Sequence, residues 1–379
     1  MKKFLYLILT FIIATASLLG GCGCNSDLPL EFKDYFYGDL KVTPPTGYIE
    51  TCEYSVTYKN GFEGEFTKNP AVTDKMLKME ISGKYTTKLT VQGLMDAQTP
   101  ILGKNVNSEL KNSFKNVNLY KYETELVLDK VEYLVNGTSA DIDPYDVLVK
   151  DEWAKARYGE QAVTNGIDYI YTVTYFAPGP QSFTPIYTEQ ISSFTNVMIS
   201  ENSIDIGRRN SENYIEYNTN NYTVNTEYSG GDVTLTGNKR VNYTSSTAID
   251  NTQLLFVIRN MNLSSGSSSM IPVASYQYQN LKDISIVGES SRTENISDPT
   301  LLKVNGANFS GNSIKLNRYA FRLAETSSAG IKQLVYVQSE DCCNLGNRKL
   351  MYRYVEPLSA LSYQSLGVME YKLTEVNFG

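Results

Sequence analysis

From Ile49 to Tyr58 the chain alternates. Cys52, Tyr54, Val56 and Tyr58 fall on one parity, and Glu53, Ser55 and Thr57 on the other. Period two with one polar face marks a half-buried antiparallel strand. Lys84–Val91 repeats the pattern with Tyr85, Leu89 and Val91. Leu119–Leu128 repeats it at greater length, with Tyr120, Tyr122, Thr124, Leu126 and Leu128 opposite Lys121, Glu123 and Glu125. Further strands are predicted at Asp168–Phe176, Thr195–Ile199, Tyr214–Tyr217, Tyr222–Tyr228, Asp232–Thr236, Arg240–Thr244, Ile271–Tyr278, Ile284–Val287, Ser313–Leu323, Gln333–Gln338, Lys349–Val355 and Val368–Phe378. Asn60-Gly61 and Ser229-Gly230-Gly231 supply turns.

Two segments break the alternation. Asp250 with Gln253 fits a capping box, and Leu254, Leu255, Ile258 and Met261 follow at helical spacing, which predicts a helix near 251–262. Asp143 as N-cap, Pro144 at N1 and Gly159 as C′ predict a second helix, with Asp146–Val149 as a short strand in the alternative reading. The expected fold is mainly β: one or more large curved antiparallel sheets, or a half-barrel, with one or two short covering helices. A helix at Asn251–Met261 lying in the concavity would cover the apolar face. A greasy ligand is the alternative filler.

The N-terminus has its own logic. Lys2 and Lys3 precede an apolar, uncharged run from Phe4 to about Ala16, the profile of a secretory signal. A membrane-spanning helix is the alternative, and the run to Leu19 is near its short limit. Leu19-Gly20-Gly21-Cys22 resembles the lipobox of bacterial lipoproteins. The resemblance implies cleavage between Gly21 and Cys22 and a diacylglycerol on the Cys22 sulfur. Two acyl chains are about the minimum for stable anchoring. The expected address is the outer face of the cytoplasmic membrane, or an outer membrane where the cell has one. Residues 1–21 are then a signal peptide and 22–47 a tether ending at Pro44-Pro45-Thr46-Gly47. An N-terminal β region over 48–180 ends at Ala177-Pro178-Gly179-Pro180, and a C-terminal one covers 181–379. The two β regions are also readable as one continuous domain.

In the second half, Asp250-Asn251, Gln253-Leu254-Leu255 and Ile258-Arg259 are followed by Ile271-Pro272-Val273, Ile286-Val287-Gly288, Gln333–Tyr336 and Leu350–Tyr354. This order of elements resembles envelope proteins related to the lipoprotein-carrier half-barrels of the Lol and LppX type. The resemblance implies an unclosed barrel whose concave side holds acyl chains. It transfers no site residues.

Composition narrows the function further. The 379 residues include 34 Lys and Arg against 41 Asp and Glu, a formal net charge of −7. Such an acidic chain is repelled by nucleic acid and anionic lipid. There is no histidine, which removes Ser-His-Asp catalysis, His-ligated zinc and the usual neutral-pH proton shuttle. No cofactor fingerprint is present, and a non-enzymatic role is expected. Asp141, Asp143 and Asp146 bring three carboxylates together, but Tyr145 stands at a ligand position and Asp146 where an EF-hand needs glycine. They read as a turn and helix cap, and no metal site is expected. A hydrolase built on two carboxylates needs no histidine, yet no local motif selects a pair. Cys342-Cys343 are too close for ordinary disulfide geometry with each other. With Cys24 and Cys52 they are candidates for a distant disulfide or for free thiols. The 29 tyrosines, against one Trp (Trp153), read as core-edge packing with hydroxyls in water. The expected partners are the membrane through the lipid anchor, and a hydrophobic or amphiphilic ligand. A second reading is a surface module that binds wall polymer or another envelope protein.

Overall fold

The computed structural model describes residues 47–63, 78–94, 118–134, 162–178, 183–200, 203–217, 221–230, 233–242, 248–261, 263–275, 281–323, 332–361 and 364–379. The lipobox at 19–22, Cys24, the tether up to 46, the acidic turn at 141–146 and the helix predicted at 143–159 lie outside the described residues.

Among the described residues eighteen strands follow in order: β1 Ile49–Lys59, β2 Lys78–Leu94, β3 Asn118–Leu134, β4 Ala162–Pro178, β5 Phe183–Ser200, β6 Ser203–Tyr217, β7 Asn221–Gly230, β8 Val233–Asn242, β9 Ile249–Asp250, β10 Ser268–Ala274, β11 Lys282–Gly288, β12 Arg292–Asn295, β13 Lys303–Val304, β14 Ala307–Asn308, β15 Ser313–Leu323, β16 Gln333–Gln338, β17 Met351–Leu361 and β18 Gln364–Phe378. A 3-10 turn at Asn251–Gln253 runs into one short helix, α1, Leu254–Ile258. The strands predicted at Asp232–Thr236 and Arg240–Thr244 are one strand, β8, because Gly237 and Asn238 continue the pairing with β7.

All the strands belong to one sheet. Pairing runs from β10 through β11 and β12, which share β15, to β16, β17 and β18, then to β1 and on through β2 to β8. The ladders are antiparallel apart from β9 on β10 and β13 on β18. β1 pairs with β18 on one side and β2 on the other, so it joins the two halves of the chain. β4 and β5 pair up to Pro178↔Phe183, which makes the Pro/Gly stretch after Ala177 a hairpin connection.

The curvature follows from what α1 touches. The Phe256 ring lies 5.1 Å from that of Tyr122 on β3 and 5.3 Å from that of Phe176 on β4. Just past α1, the Met261 carbonyl accepts a 2.7 Å hydrogen bond from Tyr319 of β15. Seven strand spacings of ~4.8 Å would put β15 and β4 roughly 34 Å apart in a flat sheet. A five-residue helix is only about 7.5 Å long. The sheet therefore wraps around α1. Phe256, Val257 and Ile258 are fully buried, so the helix fills the apolar part of the concavity. The ends of the sheet also meet by packing: Val241 of β8 and Ala274 of β10 share a cluster with Ile215, Tyr217, Tyr222 and Val224. Among the described residues no ladder joins β8 to β10, and the sheet is open rather than closed into a barrel.

The tyrosines go deeper than core-edge packing requires. Tyr54, Tyr222, Tyr319 and Tyr336 are among the largest fully buried side chains. Several hydroxyls are held by protein groups rather than water: Tyr336 donates to Glu63 at 3.1 Å and Tyr371 to Glu356 at 3.3 Å.

Candidate functional site

The concave face changes character along the sheet. Around α1 it is aromatic and closed. Along β4, β5 and β6 it is polar. Parity puts Thr172 and Thr174 on the face of Phe176, and cross-strand pairing places Thr188 opposite Thr174 and Gln190 opposite Thr172. Asn213 lies opposite Gln190, and Ile215 opposite Thr188. Thr188 donates to Thr174 at 3.1 Å, and Gln190 Nε2 to Thr172 at 3.4 Å. Threonine suits this place because its β-branched stem packs on a pleated sheet while its hydroxyl supplies a donor and two acceptor sites.

The N-terminal end of the helical segment meets this ladder. Asp250 caps the 3-10 turn: its Oδ1 accepts from the Thr252 backbone N–H at 2.8 Å and the Thr252 hydroxyl at 2.7 Å. Gln253 Oε1 accepts from the Asp250 N–H at 2.8 Å, which completes the capping box read from the sequence. Tyr217 donates to Asp250 Oδ2, and the Thr174 and Thr252 hydroxyls touch. Burial pushes the Asp250 carboxyl above its ordinary range, against the lowering effect of hydrogen bonds from Tyr217, Thr252 and Thr188.

Between these groups lies a cleft of about 20 Å³, lined by Thr188, Gln190, Asn213, Ile215, Asp250, Asn251, Thr252 and Ser275. That is room for one small polar group or one water. Gln190 Oε1 is buried and accepts no hydrogen bond. A buried acceptor without a donor costs about 1–3 kcal/mol, so a donor entering the cleft would recover that energy.

The opposite face of the same strands carries Tyr171 and Tyr175 of β4, Tyr187 of β5 and Tyr214 of β6. Tyr175 and Tyr187 are cross-strand partners. The Tyr187 and Tyr214 rings stack at 6.3 Å, and Tyr214 is 37% exposed. Tyr171 donates to Glu123 at 2.8 Å.

The cysteines within the described residues are free thiols at three separate kinds of place. Cys52 is fully buried beside Glu50, and burial, then that carboxylate, pushes its thiol up to about 12. Cys342 donates to the Ser313 carbonyl at 3.1 Å, and Cys343 is exposed. Burial first, then Cys343 and the acids Asp341 and Glu340, push Cys342 up to about 11, so it is a poor nucleophile near neutral pH. Among the described residues no group of three or more Cys, Asp or Glu side chains is placed to hold a metal ion. The carboxylates that do gather, Glu63, Glu294 and Glu370, surround the guanidinium of Arg353 rather than one another.

Sequence reading does not single out the Thr172, Thr174, Thr188, Gln190 and Asn213 ladder. Its signal was available in β4, where threonines occupy the parity of Ile170 and Phe176. What parity cannot supply is the partner strand, and β5 reads weakly because Gln190 and Ser192 interrupt its apolar face.

No protein-family model and no curated protein matches the chain. Among solved structures the chain is similar to a crystal structure of a β-barrel-like protein of a domain of unknown function, DUF1849, from Brucella abortus. The identity is 8%, the match covers 89% of this chain and 100% of that one, and the TM-score is 0.36.

Proposed function

We propose that this chain is an exported, lipid-anchored envelope protein that acts without catalysis and binds the polar part of an amphiphilic ligand in the cleft at Gln190. The unpartnered Gln190 Oε1, beside the buried Asp250 cap, carries the reading. The helix already occupies the aromatic end of the concavity, so the ligand's recognised part is a hydroxyl or amide that donates to Gln190. The anchor is Cys22, modified after cleavage behind Gly21. Cys22→Ala should abolish palmitate labelling and shift the protein out of the membrane fraction. Unchanged labelling of the variant contradicts the anchor.

The tyrosines on the opposite face favour a second reading, a surface module that contacts wall polymer or another envelope protein. Tyr214 is its most exposed member. On this reading Tyr214→Ser weakens retention on purified peptidoglycan, whereas on the first it leaves retention unchanged.

A further inference from the structure

On the side of the sheet away from α1, β12 and β15–β17 gather arginines around one buried ring. Tyr336 is fully buried, and the guanidinium carbons of Arg292, Arg353 and Arg318 lie 5.1, 5.7 and 5.8 Å from its ring centre. Cross-strand pairing sets up the array: Arg318 is opposite Tyr336, and Tyr336 opposite Arg353. Two of the three arginines have carboxylate partners from the β11–β12 connection, β12 and β18. Arg318 pairs with Glu289 at 2.8 Å, and Arg353 with Glu294 at 2.6 Å and Glu370 at 3.1 Å.

Arg292 takes its carboxylate from the loop after β1, 229 residues away in the chain. Glu63 sits at φ 52°, a conformation uncommon for a residue other than glycine. Phe62 beside it is buried, with its ring 6.2 Å from that of Tyr336. The grip on Glu63 is imperfect. Both of its oxygens lie on one nitrogen of Arg292, Nη1, at 2.5 and 2.6 Å. The Arg292 Nε is buried with no acceptor, and Arg353 Nη1 is 3.9 Å from Glu63, beyond hydrogen-bond range. A guanidinium prefers a carboxylate across two parallel N–H donors, and a tethered Glu63 does not achieve that. Arg292 and Glu63 are 31% and 29% exposed, so solvent reaches the pair.

We propose that Arg292, Arg353 and the Tyr336 hydroxyl form a carboxylate-binding site that Glu63 occupies as an internal stand-in. A free carboxylate would take the Arg292 fork, including the idle Nε, and accept from Tyr336, while Glu63 swings to solvent. The ligand class is a small carboxylate or the acidic side chain of a partner. The site is separate from the cleft at Gln190 and does not depend on it.

The test titrates full-length wild type, Glu63→Ala and Glu63→Ala/Arg292→Gln with acetate at constant ionic strength, using calorimetry. Glu63→Ala should bind acetate at least about tenfold more tightly than wild type, and the added Arg292→Gln should remove the gain. Equal affinity in wild type and Glu63→Ala overturns the proposal, as does a gain that survives Arg292→Gln. Phosphate runs in parallel, and a gain for phosphate without one for acetate overturns the carboxylate assignment. Should Glu63→Ala fail to fold, Glu63→Gln keeps the side-chain volume and the Phe62 packing. Its melting temperature should then rise with acetate, and a melting temperature indifferent to acetate refutes the site.

Discussion

Arg259, at the C-terminal end of α1, is 4% exposed and forks onto Glu50 of β1 at 2.7 and 3.2 Å. It also donates to the carbonyls of Lys349 and Arg348, at 3.0 and 3.1 Å. Burial alone would depress the guanidinium, but the adjacent carboxylate more than offsets this and keeps it charged. Removing one member of such a pair strands the other. Arg259→Ala should destabilise the fold by about 3–5 kcal/mol, measured by urea unfolding, and a loss below about 1 kcal/mol contradicts a fully buried pair. Asp250 sets a pH dependence. Its folded pKa is raised, so its contribution is full below the unfolded value of about 3.9 and is lost as pH rises through the folded value. The stability of wild type minus that of Asp250→Asn should therefore be largest in acid and shrink toward neutral pH. A difference that grows with pH gives the opposite sign and rejects the burial argument. The capping role of Asp250 was legible in the sequence, since Gln253 stands three residues on. The Arg259–Glu50 pair was not, because 209 residues separate the partners and only the wrapped sheet brings them together.

At the scale of elements, alternation was the readable signal, and it worked best where one face meets the core and the other does not. The strands expected at Ser313–Leu323 and Gln333–Gln338 are β15 and β16 with the same bounds. The helix expected near 251–262 is shorter, a 3-10 turn and five α residues, because past Ile258 the Asn260 and Met261 N–H groups bond only three residues back, to Val257 and Ile258, and Asn260 Nδ2 takes the Phe256 carbonyl. β5 and β6 were read only in part. Their centres carry Gln190, Ser192 and Asn213 on the inward face, which hides the period. A glycine shows how tightly the long strands are matched. Gly83 lies at the register shift between β2 and β3, and a Cβ there would collide with the Val127 carbonyl oxygen and press on the Leu128 backbone. Gly83→Ala should cost about 1–3 kcal/mol. Thermal unfolding reads it, and an unchanged midpoint would show that the bulge has slack.

At the scale of the molecule, the mainly β, open antiparallel architecture was legible from strand number and the scarcity of helical period. The curved sheet with the 251–261 segment in its concavity was legible as well; which strands meet at α1 was not, because that is a relation between distant segments. The concave space is divided into an aromatic end filled by Phe256 and a polar end around Gln190. That division shifts the expected ligand chemistry from a whole acyl chain toward a polar head. Native mass spectrometry of residues 23–379, exported behind a cleavable secretory signal that replaces residues 1–22, tests this most directly when wild type is compared with Gln190→Leu. Wild type should carry a small-molecule adduct that the folded Gln190→Leu variant has lost. Bare masses for both proteins, or the same adduct on both, would contradict the cleft as the binding site.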